Sequence, residues 1–379
     1  MQISTSMPSI KGLSLIELLI AMVLGLTLAT GVMQIYVSNT TSDRDQEARL
    51  RIQENGRFGM VFLSQEIRMA GYLGCLGGID GTTVNVTLAA TPTAFQPQFG
   101  VQGWEAGGTD PGVISNSANN VAVVSSTTSE WTSTGGNTMP AVMAVPNSDI
   151  IRVWGAEGSP GVVSSITTGI TATLVVDTAI GIEANDFVLV SDCEQADIVQ
   201  ACSVTDNAPA ANSTVTLSTG CAPGNAASSP VTSLAPAEAV KLQGTLFWVG
   251  KRDNAAANPP SLFRARLSAT GTAGTPEELI EGVESMQILY GENLDGDPRS
   301  TVDTYLPADQ VGSWLNVVSV RISLLLQSVE DGSVPAPQAY TFDGVVYDGN
   351  GGNGNLPADN RVRRVFTSTI NLRNRTLGI

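Results

Sequence analysis

The feature that most constrains this chain is an uncharged apolar run close to its N-terminus. Residues 18–37 read LLIAMVLGLTLATGVMQIYV. A helix of that length spans about 30 Å, the thickness of the hydrocarbon core of a bilayer. Lys11 precedes the run, and Asp43 is the first charged residue after it. Because the positive charge lies on the N-terminal side, we expect the short N-terminal segment to stay cytoplasmic and the rest of the chain to cross the membrane.

Two common kinds of segment share this hydropathy. One is a secretory signal peptide, cleaved after small residues such as those at 29–31, and the other is a plain signal anchor. Glu17 lies between Ile16 and Leu18, at the start of the apolar run. A carboxylate in that position is costly unless it finds a partner. Glu17 therefore favours a third kind of segment, one in which this charge has a function.

Charge and composition exclude several classes of function. The 379 residues hold 35 acidic and 19 basic side chains, a net charge of −16, and no histidine. An acidic chain is a poor general binder of nucleic acid, because phosphate contacts need clustered Lys and Arg. The absence of histidine excludes His-based triads and His zinc sites. Only 14% of the residues are charged, which is typical of a secreted or surface β-rich protein.

Helical patterning continues beyond the apolar run. Small and apolar residues recur every three or four positions and form one stripe: Ala48, Ile52, Gly56, Gly59, Leu63, Ile67 and Ala70. We expect one helix from Leu13 to Ala70, with its first half in the membrane and its second half packed on a globular domain. Gly71 and the glycines that follow it predict the end of the helix.

The rest of the chain, residues 71–379, has the pattern of a β-rich domain. Short β-type runs at 149–154, 186–191 and 213–217 indicate a variable β region with long loops over about 81–245, which an insertion would also explain. More regular strands follow over about 246–379. Runs at 246–249 and 261–267 predict a hairpin, and 362–372 predicts a final strand.

The clearest strand prediction is 318–326. Its apolar residues alternate and fall on one face: Val318, Val320, Ile322, Leu324 and Leu326. This pattern is typical of a half-buried antiparallel strand. The sequence therefore predicts an α+β fold, a long N-terminal helix followed by an antiparallel β-rich globular domain.

The segment KGLSLIELL, from Lys11 to Leu19, resembles the type IV prepilin signature. In that family a membrane peptidase cuts after the Gly, and the new N-terminus is methylated. The resemblance implies a leader over 1–12, cleavage between Gly12 and Leu13, methylation of Leu13, and a pilin-like fold. It also implies that Glu17 pairs with the free amine of a neighbouring subunit during assembly, which would supply the missing partner. Leu13 departs from the family pattern, in which Phe or Met is more usual.

Segments later in the chain narrow the resemblance to one group of pilins. RFGMVFLSQEIRMAGYLGC, SLFRARL, LIEGVESMQILYG, VVSVRISLLLQS and RVRRVFTSTINLRNR occur in an order that resembles the PilW-type minor pilins, relatives of the J-type pseudopilins of type II secretion. The resemblance covers residues 12–80 well and 245–379 moderately, and it is weak between them. It implies a non-enzymatic structural subunit that primes assembly of a type IV pilus and lies at or near the pilus tip.

The resemblance also implies where the chain works and with what. The protein would be a single-pass bacterial inner-membrane protein with a periplasmic domain, and after assembly it would lie in the pilus fibre. Its partners would be prepilin peptidase, other minor pilins, the major pilin, the inner-membrane assembly machinery and a tip adhesin, with no nucleic acid.

Two alternatives stay open. One is a type II secretion pseudopilin of the J type. The other is a membrane-anchored exported hydrolase or binding protein, in which the carboxylates of Asp295 and Asp297 would act as a glycosidase pair. The sequence contains no nucleophile elbow, phosphate-binding loop or metal cluster, which argues against an enzyme.

The four cysteines are Cys75, Cys193, Cys202 and Cys221, without a C-x-x-C pair. That spacing argues against zinc or thioredoxin-like chemistry. An exported domain lies in an oxidising compartment, and an even number of cysteines indicates two disulfides. Three pairings can be drawn. We favour Cys202 with Cys221, which would tie a local strand–loop unit, and Cys75 with Cys193, which would anchor the end of the helix to the β domain.

The sequence indicates no cofactor, with calcium as the alternative. Asn293, Asp295 and Asp297 carry oxygen ligands at alternate positions, and Asp303 follows. The segment resembles the start of an EF-hand loop but lacks the terminal bidentate Glu. An ordinary Asn/Asp/Gly turn between strands explains the same residues.

Two smaller segments have structural interpretations. Thr275-Pro-Glu-Glu278 fits an N-cap followed by Pro and a capping-box Glu, which predicts a single helical turn. A basic group near the C-terminus consists of Arg361, Arg363, Arg364, Arg373 and Arg375. Such a group could contact nucleic acid, but its alternation with apolar residues fits the solvated side of an edge strand better, where the charges could also meet acidic surfaces of neighbouring subunits.

Overall fold

The computed structural model describes residues 14–75, 84–107, 122–127, 129–135, 138–167, 169, 172–218, 220–226, 237–295, 301–349, 356 and 359–374. Over these residues the protein has one long α-helix, α1 (Leu15–Arg68), and an extensive set of strands. The predicted helix over 13–70 is confirmed over its described part, with its last turn ending at Met69. The predicted α+β fold is also confirmed.

The strands are β1 (Val84–Val86), β2 (Val101–Ala106), β3 (Val124–Ser125), β4 (Trp131–Thr132), β5 (Met143–Ala144), β6 (Ile150–Ile166), β7 (Ala172–Asp177), β8 (Phe187–Ser191), β9 (Ala196–Gln200), β10 (Ser203–Asp206), β11 (Asn212–Leu217), β12 (Ala237–Lys251), β13 (Pro260–Arg266), β14 (Glu277–Glu281), β15 (Val283–Glu292), β16 (Thr304–Leu306), β17 (Val317–Gln327), β18 (Tyr340–Phe342), β19 (Val345–Tyr347) and β20 (Arg363–Asn371). Short 3₁₀ turns lie at Pro97–Phe99, Thr178–Ile180, Arg252–Asn254 and Trp314–Asn316.

The larger sheet is organised around its two longest strands. Strands β6 and β12 pair antiparallel from Val163 opposite Ala237 to Ile151 opposite Phe247. Along its other edge β12 pairs first with β8 and then with β13, and the sheet continues in the order β1-β9-β8-β12-β6-β7-β11-β10. Strand β12 runs through residue 245, so the larger sheet contains strands of the predicted variable region together with β13 and β14 of the regular region.

The smaller sheet has four strands in the order β16-β15-β17-β20, all antiparallel. All five alternate apolar residues predicted on one face of β17 are buried. The opposite face is covered as well, because Leu325 packs with Phe342, Val345 and Tyr347 of the β18–β19 hairpin. The strand is therefore buried on both faces rather than half-buried.

The second half of α1 packs on both sheets. Its stripe of buried residues is Ile52, Gly56, Gly59, Leu63 and Ile67, which confirms the predicted core-facing stripe. Phe62 meets Phe247 of β12 edge to face, with ring centroids 6.1 Å apart. The core between helix and sheets is continuous, and burying such apolar side chains is the main stabilising contribution to a domain.

Two further predictions from sequence are wrong. Thr275–Glu278 does not start a helical turn; Glu277 begins strand β14, which pairs antiparallel with β13. Ion pairs of Glu277 with Arg264 and of Glu278 with Arg252, both at 2.8 Å, hold these residues extended. Strand pairing thus outweighs the local capping signal.

The basic group near the C-terminus also differs from its prediction. Strand β20 is an edge strand as predicted, but the Arg363 side chain is buried rather than solvated. It forms ion pairs with Glu284 (Nε–Oε2 2.7 Å) and Asp359 (Nη1–Oδ1 2.6 Å). Arg375 lies outside the described residues.

Candidate assembly site

The first half of α1 projects from the domain as an exposed apolar rod. Every described residue from Ser14 to Asn39 is exposed. An 18-residue window within α1 has a mean hydropathy of 2.2, and none of it is buried. By length and composition this helix can cross a membrane. A long apolar surface without cover in the folded chain indicates contact with lipid or with other proteins.

The N-terminal end of α1 is closed by a capping box. The Ser14 N–H donates to Glu17 Oε2 (3.0 Å), and the Glu17 N–H donates to Ser14 Oγ (3.3 Å). These bonds satisfy donors that a helix start leaves open. Glu17 therefore has an intrachain partner before it meets any other subunit.

The sequence signal for this cap is the three-residue spacing of Ser14 and Glu17, which an interpretation of Glu17 only as a membrane charge does not reveal. Gly12 and Leu13, the predicted processing positions, lie outside the described residues. Processing and methylation at these positions stay predictions.

Glycines let the second half of α1 approach both sheets closely. A Cβ on Gly56 would lie 2.3 Å from Cε2 of Phe366 on β20, and one on Gly59 would lie 2.6 Å from Cδ1 of Ile280 on β14. Atoms do not normally approach that closely, so the contact depends on the missing side chains. The exposed rod is thereby held to the domain at a fixed place.

The chain leaves α1 through a tightly bonded junction. The Gly71 N–H donates to the Trp154 carbonyl (2.8 Å), and the Ala156 N–H donates to the Tyr72 carbonyl (2.9 Å). Gly71 has a φ of 70°, a left-handed conformation that favours glycine. The segment that follows the helix is therefore hydrogen-bonded directly to strand β6.

Two disulfides lie in the domain, in the pairings that the sequence analysis favours. Cys75 is bonded to Cys193, across a sequence separation of 118 residues and a Cα–Cα distance of 5.1 Å. Cys202 is bonded to Cys221, with Cα atoms 5.3 Å apart. The first joins the segment after α1 to the turn between β8 and β9, and the second ties the loop after β11 to the start of β10.

The residues of the predicted calcium loop are only partly described. Asn293 is buried, and Asp303 Oδ2 accepts from the Leu294 N–H (2.7 Å) and, more weakly, from the Asp295 N–H (3.4 Å). Asp297 lies outside the described residues. Within the described part of the chain, no group of three or more His, Cys, Asp or Glu residues is placed to hold a metal ion. Calcium binding at this loop stays a prediction.

The structure brings together one set of residues that the sequence did not connect. Arg57 and Arg68 of α1 lie beside Arg364 and Arg373 from the C-terminal segment, along a groove between α1 and β20. Their separation in sequence hid this arrangement, because only the folded chain places the helix on the last strand.

Comparisons with known proteins give two family matches. Residues 246–374 match the model described as Type IV Pilus-assembly protein W. Residues 7–33 match the model described as Prokaryotic N-terminal methylation motif. No curated protein and no solved structure matches the chain. The first match extends from within β12 to beyond the end of β20 and so includes the whole small sheet. The second match includes the start of the exposed helix.

Proposed function

The two family matches support a PilW-type, prepilin-like minor pilin, and from this premise we propose that the protein is a non-enzymatic structural subunit of a type IV pilus. It primes assembly of the fibre and lies at or near the fibre tip. Before assembly it is anchored in the bacterial inner membrane with its β domain in the periplasm. Prepilin peptidase processes it between Gly12 and Leu13.

The observation that carries this proposal is the division of α1 into two halves. Residues up to Asn39 are mostly apolar and all exposed, whereas the half from Ile52 to Ile67 is buried on one face against the domain. An isolated enzyme or binding domain needs only an anchor of membrane length. A helix that continues from the anchor into the domain core instead fixes the position of the domain relative to the proteins that pack around the anchor.

Assembly by such a helix has a simple physical basis. In the membrane the apolar rod is surrounded by lipid, and in a fibre it is surrounded by the rods of other subunits. Because lipid tails are as apolar as the side chains, the exchange itself favours neither state strongly, and close packing and polar pairs decide the geometry. Glu17 supplies the polar pair by meeting the amine of a neighbouring subunit and so specifies register.

The capping box refines this mechanism. In the separate chain Glu17 accepts from the Ser14 N–H, so its charge lies at the positive end of the helix dipole. Pairing with a neighbour's amine would exchange this intrachain partner for a full opposite charge. Partners in the fibre are other minor pilins and the major pilin, and the inner-membrane assembly machinery drives the exchange.

The test separates the charge of Glu17 from its capping role. Glu17→Gln keeps an acceptor for the Ser14 N–H but removes the charge, and Ser14→Ala removes one half of the cap but keeps the charge. We expect both Glu17→Gln and Glu17→Ala to be processed and inserted normally and to be lost from purified fibres. Ser14→Ala should be incorporated like the unmodified protein, and immunoblots of sheared fibres measure all three.

Incorporation of Glu17→Gln at the unmodified level would contradict charge pairing. Loss of Ser14→Ala together with Glu17→Gln would assign the effect to the helix cap. If cells that lack the whole chain assemble fibres in unchanged number, the priming role is wrong.

A further inference from the structure

A groove of about 780 Å³ runs between the outer side of α1 and the edge strand β20. It lies on the part of α1 beyond the exposed rod, so it belongs to the exported part of the chain. Its lining residues are Gln53, Arg57, Met60, Val61, Ser64, Gln65, Arg68, Met69, Arg364, Phe366, Thr367, Ser368 and Arg373. Four of these are arginines, and none is Asp or Glu.

Three of the four arginines of this basic groove, Arg57, Arg68 and Arg364, differ from most arginines elsewhere in the domain. Among the residues that the structure describes, no ion pair joins Arg57, Arg68 or Arg364 to a carboxylate. Other arginines meet carboxylates directly, namely Arg49, Arg51, Arg252, Arg264, Arg266, Arg361 and Arg363. In a chain with 35 acidic and 19 basic residues, a groove lined by four arginines and by no Asp or Glu is a specific charge pattern.

The groove follows an open strand edge. The Leu372 N–H donates to the Val318 carbonyl, and the Val362 carbonyl accepts from the Ser328 N–H. In an antiparallel ladder alternate residues point their backbone groups to the same neighbour. The even-numbered residues of β20 therefore bond the β17 side, and the backbone groups of Val365, Thr367 and Thr369 face the other edge. Within the described residues no strand pairs with that edge.

The two faces of β20 decide what an added strand would meet. Phe366 faces α1, as its contact with Gly56 shows, and Arg364 and Ser368 lie on the same face by alternation. Arg364 lies over the Phe366 ring at 5.7 Å. A strand added beside β20 would direct every second side chain into this basic and apolar groove. Carboxylates at those positions would pair with the arginines, and apolar side chains would cover Phe366 and Val61.

From these contacts we propose that the basic groove docks an acidic extended segment of a neighbouring pilin subunit by strand addition to β20. That the partner is a pilin rests on the function proposed above. That the ligand is acidic and extended is inferred from the residues of the groove alone. Backbone hydrogen bonds would supply affinity, and the arginines would select acidic sequences. The net charge of −16 opposes a long polyanion such as nucleic acid, which would meet the acidic remainder of the surface.

The binding test uses the full chain in detergent micelles and a fluorescein-labelled peptide of alternating Glu and Val. We expect saturable binding that weakens with added NaCl, because the pairs are exposed to solvent. Arg57→Glu with Arg68→Glu should weaken binding by about tenfold. Arg44→Glu with Arg51→Glu is the matched control, since it makes the same charge change on the same helix outside the groove, and it should bind like the unmodified chain.

A second variant tests strand addition. Thr367→Pro removes a backbone N–H from the open edge without removing a bond to β17, so it should abolish peptide binding while tryptophan fluorescence stays unchanged. Equal binding of a Lys/Val peptide, an equal loss in the Arg44/Arg51 control, or tighter binding of single-stranded DNA than of the Glu/Val peptide would overturn the groove assignment.

The partner is tested in cells by a photo-crosslinking residue at Ser64, which lines the groove. The expected adduct, identified by mass spectrometry, joins Ser64 to an acidic segment of another pilin. An adduct with a protein that is not a pilin, or no adduct, overturns the choice of partner. The N-terminus of the same sample is read in parallel. A chain processed at Gly12 whose groove binds nothing rejects the docking proposal and leaves the proposed function intact.

Discussion

The Arg363 side chain lies inside the domain, 4% exposed, between two carboxylates. Its guanidinium meets Glu284 through Nε (2.7 Å) and Nη2 (3.1 Å), and Asp359 through Nη1 (2.6 Å) and Nη2 (2.8 Å). This geometry is bidentate to both partners and satisfies the charge of each. The ion pair with Glu284 joins β20 to β15 across β17, the strand that lies between them.

Arg363→Met should destabilise the domain strongly. It leaves the Glu284 carboxylate, itself 2% exposed, without its cation, and breaking a buried pair in this way costs about 3–5 kcal/mol. Arg364→Met, one residue along the same strand and exposed, should cost less than about 1 kcal/mol. Urea titration followed by tryptophan fluorescence measures both, since all five tryptophans lie in the β domain. Equal losses would contradict a buried pair.

The effect of Arg363→Met should also depend on pH. Burial tends to raise the pKa of Asp359, but the hydrogen bonds and charge of Arg363 outweigh it and hold the pKa below its usual 3.8. A carboxyl with a lowered pKa in the folded state stabilises the fold above its unfolded pKa, and that contribution is lost as the pH falls. The stability difference between Arg363→Met and the unmodified chain should therefore shrink as the pH falls below 3.8, through the lowered pKa of Asp359 in the folded state. A difference that stays constant into acid would argue against the pair.

The sequence predicts the strand that carries Arg363 but not the burial of its side chain. The alternation of Arg363 with apolar neighbours indicated an edge strand, and the strand is at the edge. It could not indicate burial, because Glu284 lies 79 positions away in sequence. By contrast, the Ser14–Glu17 cap is local, and the spacing alone would have predicted it.

At the scale of elements, α1 depends on glycine where it crosses the small sheet. Gly56→Ala should destabilise the domain, because its Cβ would meet the Phe366 ring at 2.3 Å. Overpacking of this kind costs about 1–3 kcal/mol, against a gain in helix propensity of up to about 1 kcal/mol. Gly59→Ala should cost less, since it meets only the flexible end of Ile280.

Phe366→Leu combined with Gly56→Ala should recover part of the loss, because a smaller side chain makes room for the new methyl group. The same urea titration measures the variants. A stability gain in Gly56→Ala would mean that α1 does not approach β20 as closely as described.

The helix and the strongest strands could be predicted because their signals are local. The apolar run and its continuing stripe indicated α1, and strict alternation indicated β17. The segment Thr275–Glu278 shows where local signals fail. Its glutamates form ion pairs with Arg264 and Arg252 on other elements, and these pairs favour the extended conformation of strand β14 over a helix cap. Sheet order over residues 84–217 could not be predicted either, because it depends on pairings as distant as Val84 with Ala196.

At the scale of the whole molecule, the described part of the protein is an apolar rod joined to a β domain with two main sheets. The rod continues into the domain core through α1, and the Cys75–Cys193 bond fastens the segment after α1 to the larger sheet. Strand β12 pairs with strands on both of its sides and joins β13 and β14 to the strands that precede it in one sheet. A domain fixed in this way to its anchor is suited to holding a defined place around a bundle of similar rods.

The N-terminus of the mature protein tests the prepilin interpretation most directly. Intact-mass and peptide mass spectrometry of the chain from cells that contain prepilin peptidase should show a chain that begins at Leu13 and carries a methyl group on its amine. The same chain from cells without the peptidase should keep residues 1–12. An intact leader in both strains, or a cut after the small residues at 29–31, would contradict the assignment as a pilin.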